Sequence, residues 1–263
     1  MSTEPAAVLF DVAEGVATIT LNRPEALNAI NGELAAGLIA AYREVRRRDD
    51  IRVALLTGNG RAFCAGADLK ARVRSDAAGS PIAPLFRTED PEGVYDFDPR
   101  KPVIAAINGH CLGGGFEIAL TCDILVASEA ATFGLPEITL GFFPGGGGPV
   151  RLPRSIPRAL ANDMLLTGER IDARAALERG IVSRLFAPDA LLPAARAMAA
   201  RIAGNAPLAV RAMRELIRRQ ENLPHDDAMR LAGSMRWIIG LTEDAKEGPR
   251  AFAEKRQPVF KGE

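Results

Sequence analysis

Residues 101 to 148 read KPVIAAINGHCLGGGFEIALTCDILVASEAATFGLPEITLGFFPGGGG, and this stretch decides how the chain is read. It opens with Val103-Ile104-Ala105-Ala106-Ile107, an apolar run of strand length, and Asn108-Gly109 ends that run with a turn signal. Gly113-Gly114-Gly115 follows. Without Cβ atoms, these three residues let the backbone approach a ligand closely. Glu117-Ile118-Ala119-Leu120 continues as helix, which puts Gly114 at or near a helix N-terminus. There the backbone N–H groups lack intrahelical partners and carry the positive end of the dipole, an arrangement able to stabilise a developing oxyanion. Glu117, one turn in, faces the same spot. A second carboxylate, Glu137, follows Pro136 near the end of a short strand over 131–134, and Pro144-Gly145-Gly146-Gly147-Gly148 makes a backbone-rich wall. Each feature alone has a plainer reading: tight packing for the glycines, a helix N-terminal charge for Glu117, a surface residue for Glu137. The run is neither a dinucleotide fingerprint nor a P-loop, because the G-x-G-x-x-G spacing and the Gly-Lys-Ser/Thr ending are both missing.

Taken together, the stretch resembles the crotonase (enoyl-CoA hydratase/isomerase) superfamily. The residues that carry the resemblance are 101–106, Asn108-Gly109, Gly113-Gly114-Gly115, Glu117, Cys122-Asp123, Phe133-Gly134, Pro136-Glu137, Leu140-Gly141 and Pro144-Gly145. Two further segments match that family's closing region, 242–248 and 251–256, so the resemblance covers almost the whole chain. It implies an α/β fold with a ββα spiral core over 1–188, carrying the acyl-CoA site, and a C-terminal helical trimerisation region over 189–263. The implied activity is reversible addition of water to a 2-enoyl-CoA thioester, with Glu117 and Glu137 as the catalytic carboxylates. Phe63-Cys64-Ala65-Gly66-Ala67-Asp68-Leu69-Lys70 resembles the family's first oxyanion-hole loop. By position, the amides of Ala67 and Gly114 are then the two oxyanion donors. Ala65, Ala67, Asp68, Leu69, Lys70 and Gly114 contact the substrate, and Arg23, Ala26, Leu27, Phe252 and Lys255 bind the CoA moiety. For Asp68 a helix cap is the simpler role. Arg23 and Lys70 read equally well as solvated surface charges.

Length and composition bound the rest. The 263 residues suffice for one large core, alone or with a small appendage, and 48% hydrophobic content is that of a globular protein. Thirty-three basic residues balance thirty-three acidic ones, so no global field argues for nucleic acid, a membrane surface or an acidic tail. Cys64, Cys111 and Cys122 are odd in number, at no metal-ligand spacing, and fit a reducing cytoplasm. His110 and His225 are far apart in sequence, which argues against a histidine-based metal site. No metal and no dissociable cofactor is expected beyond the coenzyme A that carries the substrate. The first sixteen residues show no signal, transit or membrane-spanning pattern.

Along the chain, Val8-Leu9-Phe10 and 16–21 read as strands joined by a turn at Glu14-Gly15. Asn31 caps a helix running to about Arg48, with Leu34, Leu38, Tyr42 and Val45 on one face. Val53 to Thr57 is a buried strand. Gly79, Pro81, Pro84, Pro91, Gly93 and Pro99 break residues 75–100 into an irregular loop, which in the crotonase family helps to shape the acyl pocket. Beyond Leu185, helices are expected over 189–203, 207–221, 225–239 and 242–256. Leu208, Ala212, Leu216 and Gln220 mark one face of the second of these, extended by Met213 and Ile217.

Other chemistries have weaker support. His110 and Cys111 are adjacent in an extended segment and point to opposite sides, so they make a poor nucleophile–base pair. Arg43, Arg46, Arg47 and Arg48 fit the favourable charge of a helix C-terminus better than a nucleic-acid patch. Within the superfamily the alternatives are carnitinyl-CoA dehydratase and Δ3,Δ2-enoyl-CoA isomerase activities. The run 247–252 and the tail 258–262 lean towards the former, and the small residue Ala67 towards a hydratase. Outside it stands a non-catalytic CoA- or RNA-binding scaffold, against which both glutamates argue.

Overall fold

In the computed structural model, residues 5–69 and 93–263 are described. Lys70, and the part of the breaker-rich loop over 75–92, lie outside the described residues. Strands β1 (Val8–Ala13) and β2 (Val16–Leu21) form a hairpin. Its two turn residues, Glu14 and Gly15, both take positive φ (52° and 79°), as a tight right-twisted hairpin requires. A 3-10 turn over Pro24–Ala26 precedes α1 (Gly32–Arg47), and the Asn31 side chain caps α1 by accepting from the Leu34 amide. Leu34, Leu38, Tyr42 and Val45 are buried, as their spacing requires.

Three successive turns of chain then each lay one strand in each of two sheets. β3 (Val53–Gly58) is followed by β4 (Ala62–Cys64). β5 (Val103–Ile107) is followed by β6 (His110–Leu112) and α2 (Gly114–Ala119). β7 (Ile124–Ser128) is followed by β8 (Thr132–Gly134) and a 3-10 helix, Pro136–Leu140. α3 (Gly148–Ser155), α4 (Arg158–Thr167), β9 (Ile171–Asp172), α5 (Ala173–Glu178) and β10 (Arg184–Phe186) complete the spiral. The larger sheet has the order β1-β2-β3-β5-β7-β10, parallel except for the first hairpin; the smaller runs β4-β6-β8-β9, antiparallel only at β8/β9. β3 and β5 are almost wholly buried, because a parallel sheet covered on both faces has no polar side.

Alternation along these strands feeds two cores. Leu56, Ala105 and Ile107 join Phe63, Phe116, Phe133 and the apolar face of α1 in the larger one, where the Phe116 and Phe133 rings meet edge to face at 5.6 Å. Leu55, Ile104, Ala106 and Val126 face the other way, onto α6 (Leu191–Ala203). That helix presents Ala195, Ala199 and Ala203, a ridge of small residues that lets it lie close to the sheet. The fold is therefore α/β with a ββα spiral, as the sequence led us to expect.

Three further helices close the chain: α7 (Pro207–Gln220), α8 (His225–Gly240) and α9 (Glu243–Ala253). Leu208, Ala212 and Leu216 are only half-buried, Gln220 is exposed, and so are Met213 and Ile217. The residue that α7 buries is Arg214, whose Nε donates to Asp123 and whose Nη1 pairs with Asp98, both at 2.8 Å. Among the described residues no helix is long and apolar enough to cross a membrane.

Candidate active site

The cleft is built around the start of α2. Gly113 turns the chain out of β6 with φ 52° and donates its N–H to the Gly134 carbonyl at 2.9 Å. α2 begins at Gly114, so the amides of its first turn have no intrahelical acceptor. The loop after β4 lies alongside. Its Ala65 amide donates to the Leu27 carbonyl (3.0 Å), the Ile30 amide to Gly66 (2.8 Å), and the Asp68 amide to Ile30 (3.0 Å). In such a parallel bridge the residue between the two bonded positions turns its own N–H to the other side, and here that residue is Ala67. Gly66 abuts the start of α2: a Cβ built on it would sit 3.4 Å from the Gly114 nitrogen. The two amides expected to form an oxyanion hole thus belong to adjoining segments.

Glu117 is one turn into α2 and only 2% exposed. Its Oε1 accepts from the Gly148 amide at 2.8 Å. Its Oε2 points at Gly146, where a Cβ would come within 2.6 Å, so only glycine fits. Burial pushes the Glu117 carboxyl above its ordinary value; the Gly148 and Gly146 amides and the Arg151 charge oppose this without cancelling it. Glu137 comes from the 3-10 helix that Pro136 starts. Its Oε1 lies 2.9 Å from the place a Cβ on Gly113 would take, which puts the carboxylate against the turn into α2. Its Oε2 is buried and has no hydrogen-bond partner among the described residues. Burial raises this carboxyl too, and after the opposing backbone amide the charge of Glu117 adds to the rise. Two like charges that sense each other across a partly buried cleft titrate as a pair.

Tyr95 completes the wall, and nothing in its sequence neighbourhood announced it. Its phenolic oxygen lies 2.5 Å from the Cβ position of Gly114, and its ring 2.6 Å from that of Gly146. Arg151 fixes both neighbours, donating Nη1 to the Gly146 carbonyl and Nη2 to the Tyr95 carbonyl, the latter at 2.8 Å. Ile30, also absent from the sequence reading, has its Cδ1 3.1 Å from the Gly114 Cβ position.

The remaining expected residues fall in several places. Arg23 donates to the Ala29 carbonyl at 2.6 Å and pairs with Asp68 at 3.3 Å, so these two side chains brace the 23–30 turn against the oxyanion-type loop. Ala26 and Leu27 sit in that turn, Leu27 in the left-handed region (φ 53°). Leu69 is exposed. Phe252, 86% exposed, and Lys255 lie at the end of α9, and among the described residues none of the contacts that assemble the cleft reaches them. Cys64 is pushed up to about 12 by burial, and Cys111 is raised by the same cause, so neither thiol is an activated nucleophile. His110 bonds Thr132 at 2.9 Å through Nδ1.

The ββα spiral is the fold of the crotonase-type enzymes. An enoyl-CoA hydratase from Mycobacterium marinum superposes with TM-score 0.90 at 38% identity, covering 98% of this chain and 100% of that one. One from Mycobacterium tuberculosis gives the same values. The profile of the enoyl-CoA hydratase/isomerase family matches residues 11–263, and the chain belongs to that family. Its similar relatives include a carnitinyl-CoA dehydratase of Citrobacter koseri, 42% identical over 249 residues (93% of this chain, 94% of that protein). Another is an (E)-benzylidenesuccinyl-CoA hydratase of Thauera aromatica, 41% identical over 256 residues (97% and 99%).

Proposed function

We propose that this crotonase-family enzyme is an enoyl-CoA hydratase, adding water reversibly across the 2,3-double bond of a 2-enoyl-CoA thioester. The observation that carries the reading is the pair of carboxylates, Glu117 buried and Glu137 half-buried, both raised and electrostatically coupled, on one glycine-lined cleft. Water addition needs a base to activate the water and an acid to protonate the α-carbon. Glu117 uses Oε1 to hold the Gly148 amide and keeps Oε2 for the water. Glu137, with its unpartnered Oε2, delivers the α-proton. As the water's oxygen bonds to the β-carbon, the π electrons move onto the thioester oxygen. The Gly114 and Ala67 amides stabilise that enolate more than the ground-state carbonyl, which is the condition for acceleration. Run backwards, the same steps dehydrate a 3-hydroxyacyl-CoA.

Carnitinyl-CoA dehydratase activity is the second reading, favoured by the relative 42% identical to this chain. Both readings use a substrate carried on coenzyme A and need neither metal nor nicotinamide. Among the described residues no group of three or more His, Cys, Asp or Glu is placed to hold a metal ion. A panel of enoyl-CoA thioesters, crotonobetainyl-CoA included, followed by loss of the conjugated-thioester absorbance, decides between them. Hydration of crotonyl-CoA is the expected result, undiminished by a chelator. Metal-restored activity after chelation would overturn the metal-free mechanism, and double-bond isomerisation outrunning hydration would make the enzyme an isomerase.

A further inference from the structure

Tyr95 is the member of the cleft to which the proposed chemistry gives no task. Its ring lies along α2, from Gly114, where the hydroxyl sits, to Gly146, whose Cβ position faces the ring and Glu117 Oε2 alike. A thioester with its oxygen at the Gly114 amide and its β-carbon near Glu117 must therefore lie along this ring. The Tyr95 backbone is pinned by Arg151. The side chain makes no hydrogen bond among the described residues, so truncating it strands no buried polar group among them. Burial, followed by the charge of Glu117, raises the phenol, so it stays neutral.

Tyr95 also borders a second space. A cavity of about 1120 Å³ between α3 and α7 is lined by Tyr95, Gly147, Val150, Arg151, Met213 and Ile217, among others. Neither Glu117 nor Glu137 lines it. The cleft and the cavity thus share Tyr95 as a wall.

We infer that Tyr95 is the specificity-determining residue of the cleft: its ring partitions the carboxylate site from the larger cavity and restricts turnover to acyl groups that end short of it. The inference rests on the hydratase reading and names the substrate class, short-chain 2-enoyl thioesters. A few methylenes of misfit against a rigid wall are worth at least tenfold in kcat/KM.

The test measures kcat and KM for crotonyl-CoA and trans-2-dodecenoyl-CoA in wild type, Tyr95→Phe, Tyr95→Ala and Tyr95→Ala combined with Val150→Trp. Wild type is expected to favour crotonyl-CoA by about tenfold or more, and Tyr95→Phe to keep that ratio within about threefold. Tyr95→Ala should shift the ratio towards dodecenoyl-CoA by about tenfold or more, chiefly through KM. Val150→Trp, filling part of the cavity, should reverse most of that shift. Should the alanine variant fail to fold, Tyr95→Leu carries the same expectation. A wild type indifferent to chain length, or a truncation that leaves the ratio unchanged while crotonyl-CoA is still hydrated, overturns the inference and leaves the hydratase reading standing. A wild type that hydrates neither thioester removes that reading and the inference with it.

Discussion

Glu117 and Glu137 sit where a charge is costly, and each is held differently. Glu117 has two glycine amides and Arg151 nearby to support its ionised form; Glu137 has its own backbone amide, an unpartnered oxygen and a like charge for a neighbour. The environments push both carboxyls upward, so the pair should hold one proton into a higher pH range than two independent glutamates would. The kcat/KM profile for hydration is therefore expected to be bell-shaped, its acid limb lying above the ordinary glutamate value of 4.5. Glu117→Gln and Glu137→Gln should each remove one limb and lower kcat by on the order of 10²–10⁴, with thioester binding retained. A variant within about threefold of wild type would show that the two-carboxylate mechanism is wrong, since general acid–base catalysis is worth far more than that.

α7 is anchored by a charge rather than by an apolar face. Arg214 is buried between Asp123, which also accepts from the Val103 amide at the start of β5, and Asp98, three residues beyond Tyr95. Burial alone would raise the Asp98 carboxyl, but Arg214, the Arg100 amide and the Arg218 charge together outweigh it and the net shift is downward. A depressed carboxyl contributes stability that is present above its unfolded value and lost as pH falls through the folded one. Arg214→Leu should cost about 1–3 kcal/mol, because it removes charge-assisted hydrogen bonds to two carboxylates that water still reaches in part. It should also flatten the loss of stability on acidification below about pH 4, read by urea titration at several pH values. A variant as stable as wild type would mean that apolar packing holds α7 in place. The same helix shows where the sequence stopped being legible. β5 could be read because a strand buried on both faces is continuously apolar, and α1 because Asn31 caps it and one stripe of residues fills its core face. The glycine–glutamate run could be read because its members are neighbours along the chain. Arg214 could not, since its partners lie 91 and 116 residues away and an arginine on a helix ordinarily faces water. Tyr95 could not either, because its position is set by what faces it, Gly114 and Gly146, from two other segments.

At the scale of the whole molecule, the C-terminal helices expose a set of large apolar side chains. α8 buries none of its residues, and Met229, Gly233, Trp237 and Leu241 fall on one stripe at four-residue spacing, with Ile238 beside them. Trp237 is 73% exposed and Ile238 63%, while Met213 and Ile217 of the neighbouring α7 are exposed as well. A contiguous patch of this kind marks an interface, and the balanced net charge opposes self-association only weakly. Gly233 has nothing within 4 Å of its Cβ position, so another backbone can approach the middle of the stripe. The expected assembly is a homotrimer or a dimer of trimers. Trp237 is the only tryptophan in 263 residues, so its emission reports this face alone. Sedimentation at micromolar concentration should give a trimer or hexamer with blue-shifted emission, and Trp237→Asp with Ile238→Asp should give smaller species that keep the fold of the spiral. A monomer at that concentration, with the emission of a water-exposed indole, would refute the assembly and leave the stripe for another partner to cover.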